Sequence, residues 1–302
     1  MAIGPGLHIE DPTDPSLDLT MSEGARPIYD RVRAFIADEV EPVTLEFHQL
    51  GAERTDHWGY HPGQMDILDG LKTKAREVGL WNLFLPDAET GEGLSNLDYA
   101  YIASELGKNP LASESLNCSA PDTGNMEVLE RYGSEQHKKE WLGPLLEGKI
   151  RSAFAMTEPH VASSDATNIA TSAVLEGDEW VINGEKHYIS GDGDPRCKIM
   201  ITMVVTNPDA PKHLRQSQIL VPLPYPGVEV VRPMYVFGKD DAPHGHMHIK
   251  FDNVRVPKEY IILGEGRGFE ISQGRLGPGR IHHCMRSIGV AERALELLCR
   301  RA

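Results

Sequence analysis

The spacing of apolar residues changes character twice along this chain, and those two changes restrict its fold more than any other feature. Before residue 150 the spacing is helical. Ile28, Val32, Phe35, Ile36 and Val40 recur every three or four residues, and Pro42 is expected to close that run. A second helical stretch covers 65–78, with Leu68, Leu71, Ala75 and Val78 on one face. Ser95 and Asp98 have the spacing of a capping box that opens a helix through Leu106, and 126–132 and 134–146 read as two more short helices. After Ile150 the pattern becomes short strand-like runs at 171–175, 180–182, 186–190, 198–206, 218–222, 228–232 and 246–251. Gly177-Asp178 and Asn183-Gly184 separate the first three, and Asn-Gly predicts a hairpin because both residues tolerate positive φ. From about Phe269 helical spacing returns through Ile281, Met285, Ile288, Ala291, Leu295 and Leu298.

This order predicts an α+β chain in four parts. A flexible Pro-, Gly- and Asp-rich arm covers 1–22 and an N-terminal helical domain 23–150. A middle antiparallel β-barrel or sandwich covers 151–263, and 264–302 forms the first helix of a C-terminal helical bundle. The last helix carries a wide apolar stripe that normally packs into such a bundle, whose remainder is expected to lie outside these 302 residues.

Composition narrows the partners. A formal charge of −15 argues against nucleic acid, whose phosphates need clustered Lys and Arg, yet leaves room for a phosphorylated cofactor held by local groups. Cys118, Cys197, Cys284 and Cys299 are scattered without a C-x-x-C pair, which fits reduced thiols in a cytosol-like compartment. The first twenty residues contain no Lys or Arg, unlike a secretory or transit segment, and no apolar run has membrane-spanning length. A cytoplasmic location is expected, with mitochondrion or peroxisome left open. His244, His246 and His248 alternate as residues on one strand face do, but no second cluster has ligand spacing, so no metal is expected. Gly264 to Gly268 follows a loop rather than a Rossmann strand and reads as a turn. His282-His283 reads as a packing or substrate-lining pair.

The most specific motifs flank the first change of pattern. Phe154-Ala155-Met156-Thr157-Glu158-Pro159 is followed by Ser163-Ser164-Asp165 and then Tyr188-Ile189-Ser190-Gly191, a set of hydroxyls and amides suited to a flat ligand with polar edges. Gly133-Ser134-Glu135-Gln136-His137-Lys138-Lys139-Glu140-Trp141-Leu142 precedes it. Phe251-Asp252-Asn253-Val254-Arg255-Val256-Pro257 and Leu263-Gly264-Glu265-Gly266-Arg267-Gly268-Phe269 follow. Together these resemble the acyl-CoA dehydrogenase family over residues 25 to 300. Gly277-Pro278-Gly279-Arg280-Ile281-His282-His283-Cys284 is most similar to the dehydrogenase domains fused to kinase-like domains in animals, and to their bacterial relatives.

The resemblance implies FAD as cofactor and an acyl-CoA thioester as substrate. The reaction would be α,β-dehydrogenation in fatty-acid β-oxidation, with electrons passed to an electron-transfer flavoprotein from a homodimer or homotetramer. It implies a cofactor site of Phe154, Met156, Thr157, Glu158, Ser163, Ser164, Tyr188, Ile189 and Ser190. Met156 and Thr157 would lie along the flavin ring, Tyr188 would pack on it, and Ser190 would hydrogen-bond its N5. The loop around His160 is one residue longer than the family's common form, so Ser163 or Ser164 could meet the pyrophosphate and the thioester. Ser164 is favoured because it directly precedes Asp165, and His160 reads as a loop histidine near the phosphates. Ser164, Pro278, Gly279 and Arg280 are the implied substrate contacts, Arg280 with the CoA portion. Gly277 stands where family members often carry an acidic residue, and Gly279 where one branch carries its catalytic glutamate. The commoner site of that base is the terminal bundle. Glu270 and Glu292 occupy neither place, and no base is assigned. An acyl-CoA oxidase, or a truncated non-catalytic module that binds flavin or CoA, are the competing readings.

Overall fold

The computed structural model describes residues 18–87 and 91–302; most of the arm expected over 1–22 lies outside them. Helices α1 (Arg26–Phe35) and α2 (Glu41–Glu53) are joined by a π-helical turn, Ile36–Val40, and Val32, Phe35, Ile36 and Val40 are buried as their spacing predicts. Pro42 does not close the run. It sits in the opening turn of α2, where a missing N–H breaks no helical bond. Helix α3 (Pro62–Glu77) opens on a capping box in which His61 Nδ1 accepts from the Gly63 amide at 3.1 Å and Gln64 Oε1 from the His61 amide at 3.1 Å. Leu68, Leu71 and Ala75 face the core, whereas Val78, at the end of the helix, is exposed.

Ser95 caps α4 (Asn96–Gly107) by accepting from the Asp98 amide at 3.1 Å, at the expected position. The short α5 (Ala112–Ser115) leads to α6 (Asp122–Tyr132). Then α7 (Glu135–His137), a π-turn and α8 (Gly143–Leu146) complete the helical part.

Seven strands follow: β1 (Arg151–Ala155), β2 (Ser172–Glu176), β3 (Glu179–Ser190), β4 (Cys197–Val205), β5 (Gln216–Pro222), β6 (Val228–Pro233) and β7 (His246–Pro257). They form one sheet in the order β1-β4-β2-β3-β7-β6, with β5 also on β4. Four pairings are antiparallel, as expected. However, β1 runs parallel to β4, and β2 meets β4 in parallel at Ser172–Val205, so the sheet is mixed. Ile199, Ile201 and Leu220 join the helical core on one face, while Met200, Val204, Ile219 and Val221 fill the other side.

The Asn183-Gly184 hairpin does not form. Both residues lie inside β3, where the register against β7 shifts between Ile182 and Gly184. A Cβ on Gly184 would come within 2.6 Å of Thr171 Oγ1, so the glycine permits close approach instead of a reversal. The turn is at Gly177-Asp178 alone, between β2 and β3.

The last element, α9 (Gly268–Arg301), crosses α4 where Gly289 faces Ser104 and Gly107 faces Arg286. A Cβ at either glycine would lie within 2.2 Å of the opposing carbonyl oxygen. Its outer stripe of Ile281, Ile288, Leu295 and Leu298 is exposed among the described residues, and no described helix is long and apolar enough to cross a membrane.

Candidate active site

The sheet, α6 and α9 enclose a cleft of about 310 Å³. Its position follows from a second irregularity in β3. Lys186 pairs with Ile249 and Ile189 with Met247, so three steps on β3 span two on β7. Tyr188 absorbs the extra residue at φ 54°. Lys186 and Ile189 therefore both point inward, while Tyr188 and Ser190 line the cleft with Phe154 from β1. Helix α6 contributes Thr123 and Gly124, and α9 contributes Arg275, Gly279, His282, His283 and Arg286.

Two of the implied cofactor residues, Glu158 and Ser163, brace the loop with their own side chains, and a third, Ile189, lies in the sheet core. The Lys186 ammonium, wholly buried, donates to Glu158 Oε1 at 2.7 Å, Met203 O at 2.6 Å and Met156 O at 3.0 Å. The Glu158 carboxylate also accepts from the Ala170 and Thr171 amides at 2.7 and 2.9 Å. Burial alone would raise its pKa, but Lys186 and these donors hold it below the usual carboxylate range. Burial lowers Lys186 to about 8 against the pull of Glu158. Ser163 Oγ accepts from the Glu158 amide at 2.7 Å, and Ile189 is buried in the sheet interior.

The remaining residues of that set keep surface toward a ligand. Ser164 and Tyr188 are exposed, and Met156 and Thr157 are half-buried. The Thr157 hydroxyl donates to His187 O at 2.6 Å, leaving its lone pairs available. His187 Nδ1 is buried without a partner, an orphaned polar atom beside the Thr157–Tyr188 segment. Exposed hydroxyl, aromatic face and unpaired ring nitrogen fit the polar edge of a flavin. His160 is exposed, 3.5 Å from Glu185 Oε2.

On α9, Pro278 is half-buried, Gly279 lines the cleft, and Arg280 is exposed and outside it. The arginines within the cleft are Arg275 and Arg286. Arg275 stacks 3.9 Å above the Phe154 ring, donates to Asn125 Oδ1 at 3.1 Å, and is lowered to about 10 by desolvation. Arg286 donates to Cys118 O at 3.3 Å and lies 3.2 Å from His283 Nδ1. His282 packs edge-on against Tyr99 at 4.6 Å, with its pKa lowered to about 4 by burial. Sequence reasoning missed both arginines, yet Arg275, Gly279, His282 and Arg286 follow a 4-3-4 spacing that marks one helix face. Glu270 pairs with Arg267 at 2.6 Å and Glu292 with Lys108 at 3.0 Å; neither lines the cleft. The three alternating histidines diverge. His244 lines the cleft, His246 meets Ser190, and His248 meets Glu185 at 2.9 Å; no metal-holding cluster occurs among the described residues.

Behind the cleft wall, Glu127 on α6 is raised to about 7 by burial, against the opposing pull of Arg131 and Arg275. The folded chain thus keeps this proton up to about pH 7 while an unfolded chain releases it near 4.5. Its stabilising effect is full below 4.5 and is lost as pH rises to 7. Glu127→Gln should raise stability at pH 8 by about 1 to 3 kcal/mol and leave it unchanged at pH 4. Urea unfolding at both pH values checks this, and equal effects at the two would refute it.

With this geometry in view, comparison with known proteins identifies the lineage. Residues 22–149 match the acyl-CoA dehydrogenase N-terminal domain and residues 153–254 the acyl-CoA dehydrogenase middle domain. The chain is 51% identical over 288 residues to the probable acyl-CoA dehydrogenase FadE2 of Mycobacterium tuberculosis, covering 94% of this chain and 69% of that protein. It is 53% identical over 285 residues to mouse acyl-CoA dehydrogenase family member 10, covering 92% of this chain but only 26% of that longer protein. A solved structure described as a putative acyl-CoA dehydrogenase from Mycobacterium abscessus superposes with a TM-score of 0.87 at 53% identity, covering 93% of this chain and 70% of that one. The chain belongs to the acyl-CoA dehydrogenase family. Its helical N-terminal domain, curled sheet and following helix are that family's fold.

Proposed function

We propose that this chain carries the flavin seat and part of the acyl-CoA site of an FAD-dependent α,β-dehydrogenase. The observation that carries this reading is the cleft that joins Phe154, Tyr188 and Ser190 of the sheet to Gly279 of α9. Bound there, FAD would supply the two-electron acceptor for the β-hydrogen. Met156, Thr157, Tyr188 and Ser190 would seat the ring, with Glu158, Ser163 and Ile189 bracing its loop. Ser164 would meet the pyrophosphate and thioester, and Arg280, with Pro278 and Gly279, the CoA portion. Electrons would pass to an electron-transfer flavoprotein from a homo-oligomer working in cytosolic β-oxidation. An acyl-CoA oxidase differs from this only in letting O₂ reach the reduced flavin, and hydrogen peroxide formation distinguishes the two.

The cleft wall favours a particular kind of acyl group. Arg275 and Arg286 make it cationic and the neutral rings of His282 and His283 make it polar, so an acyl chain with an oxygen or anionic substituent is better matched than a plain aliphatic tail. Displacement binding with matched plain and substituted acyl-CoAs tests the preference, and tighter binding of the plain series counts against it.

Thr157→Ala with Ser190→Ala should weaken retention of reduced FAD by about 10- to 100-fold, from the loss of hydrogen bonds worth about 1 to 3 kcal/mol. Anaerobic titration with the reduced cofactor reads this directly. Unchanged affinity in a folded double variant would remove the assignment.

A further inference from the structure

Ser190, at the end of β3, pairs across the sheet with His246, the first residue of β7. The two side chains also meet: Ser190 Oγ lies 2.8 Å from His246 Nδ1. The far nitrogen of the same ring, Nε2, lies 3.2 Å from Asp241 Oδ2. Asp241 stands in the loop before β7 with φ 53°, and its carbonyl accepts from the Gly245 amide at 2.9 Å. The Gly245 carbonyl in turn accepts from the Gly191 amide at 3.1 Å, so the loop is tied to the residue after Ser190. His244 presents its ring edge-on to His246 at 6.3 Å, without a hydrogen bond to it.

The chemistry of this row has one consistent assignment when the ring is neutral. A carboxylate only accepts, so Nε2 carries the ring proton and gives it to Asp241. Nδ1 is then an acceptor and must receive the hydroxyl hydrogen of Ser190. A serine hydroxyl has one hydrogen. Once it is given to His246, Ser190 offers the cleft lone pairs and no donor.

We infer that His246, oriented by Asp241, is a positioning residue that holds the Ser190 hydroxyl as a hydrogen-bond acceptor toward the cleft. The inference rests on the flavin reading and deepens it. Flavin N5 is an acceptor when oxidised and carries a hydrogen when reduced. An acceptor locked opposite N5 favours the reduced ring; a freely rotating hydroxyl serves both. The row therefore shifts the bound flavin toward its reduced form before any substrate is present.

Asp241→Asn tests this without emptying space. The asparagine amide can donate to Nε2, which moves the ring proton to Nδ1 and turns the Ser190 hydrogen toward the cleft. His246→Phe, which removes both contacts while keeping a ring, is the second variant. At about pH 8, above the ordinary imidazole range, nitrogen-15 spectra of the unmodified protein should show His246 protonated at Nε2 alone. Both variants should move the partition between reduced and oxidised bound FAD about tenfold toward oxidised, a fall of about 30 mV for a two-electron couple. In a Ser190→Ala background neither should move it.

A ring protonated at Nδ1, an unmoved potential in both variants, or an equal shift without Ser190 overturns the proposal while leaving the flavin reading intact. A protein that binds no FAD overturns the flavin reading and this proposal together, whatever the ring spectra show.

Discussion

Lys186→Met should destabilise the protein by about 3 to 5 kcal/mol, because it leaves the buried Glu158 carboxylate facing the position of a lost cation. Lys186 is wholly buried and Glu158 nearly so, and the ammonium also satisfies the Met156 and Met203 carbonyls. The loss should depend on pH in a defined direction. In the native protein Glu158 sits below its ordinary pKa, so its contribution is present above the unfolded value and disappears as pH falls. In the variant the carboxyl keeps the Ala170 and Thr171 amides but loses its cation, and takes a proton more readily. The gap between the two proteins should therefore narrow toward acid. Chemical denaturation at about pH 7.5 and pH 4.5 measures it, and a gap that widens toward acid would contradict this account.

Glu114→Gln should cost a similar amount, about 3 to 5 kcal/mol, through a different element. Glu114 on α5 meets Lys72 of α3 at 3.1 Å, Arg151 of β1 at 2.9 Å and Arg196, just before β4, at 2.6 Å. Burial alone would raise its pKa, but these three cations hold it well below the carboxylate range. Asp122 and Asp194 complete the group by pairing with Arg151 and Arg196. Removing the central anion leaves three positive groups converging where the helical part meets the sheet. Native Glu114 contributes stability above the unfolded carboxylate pKa and loses it as pH falls, so the variant should also lose less stability on acidification. Lys72→Met should lose less than Glu114→Gln, since it removes one of the three partners of Glu114. The reverse order would show that Glu114 is not the centre.

The helices and most strands were legible because their signals are local. Ser95 capped its helix at the expected position, although Asp98 accepts from the Ser95 hydroxyl and the Ser22 amide and does not close a capping box, and Val32, Phe35 and Ile36 fell on one buried face. Pro42 was misread because proline both ends and opens helices, and only the π-turn before it shows which. Asn183-Gly184 was misread because its turn chemistry was weighed without Thr171, whose closeness is a property of the folded sheet. The site divided in the same way. Residues of the loop motif could be named from their order, but which of them brace the loop and which keep an open surface depended on Lys186, thirty residues away from Met156 in sequence. The arginines of α9 lay in plain view at helical spacing. What hid them was the conspicuous apolar stripe on another face of the helix, which drew the reading of α9 toward bundle packing.

The irregularity at Tyr188 has an arithmetic consequence. Side chains on a strand alternate in parity, and the extra residue between Lys186 and Ile189 inverts it just before Ser190. Straightening the strand with every residue kept would turn Ser190 into the sheet interior and Ile189 out into the cleft, whereas deleting one residue of 187–188 would close the bulge and leave both facing as they do. A related chain without the bulge should thus be one residue shorter here, so that the serine still faces the cleft. Here the functional surface is counted rather than spelled.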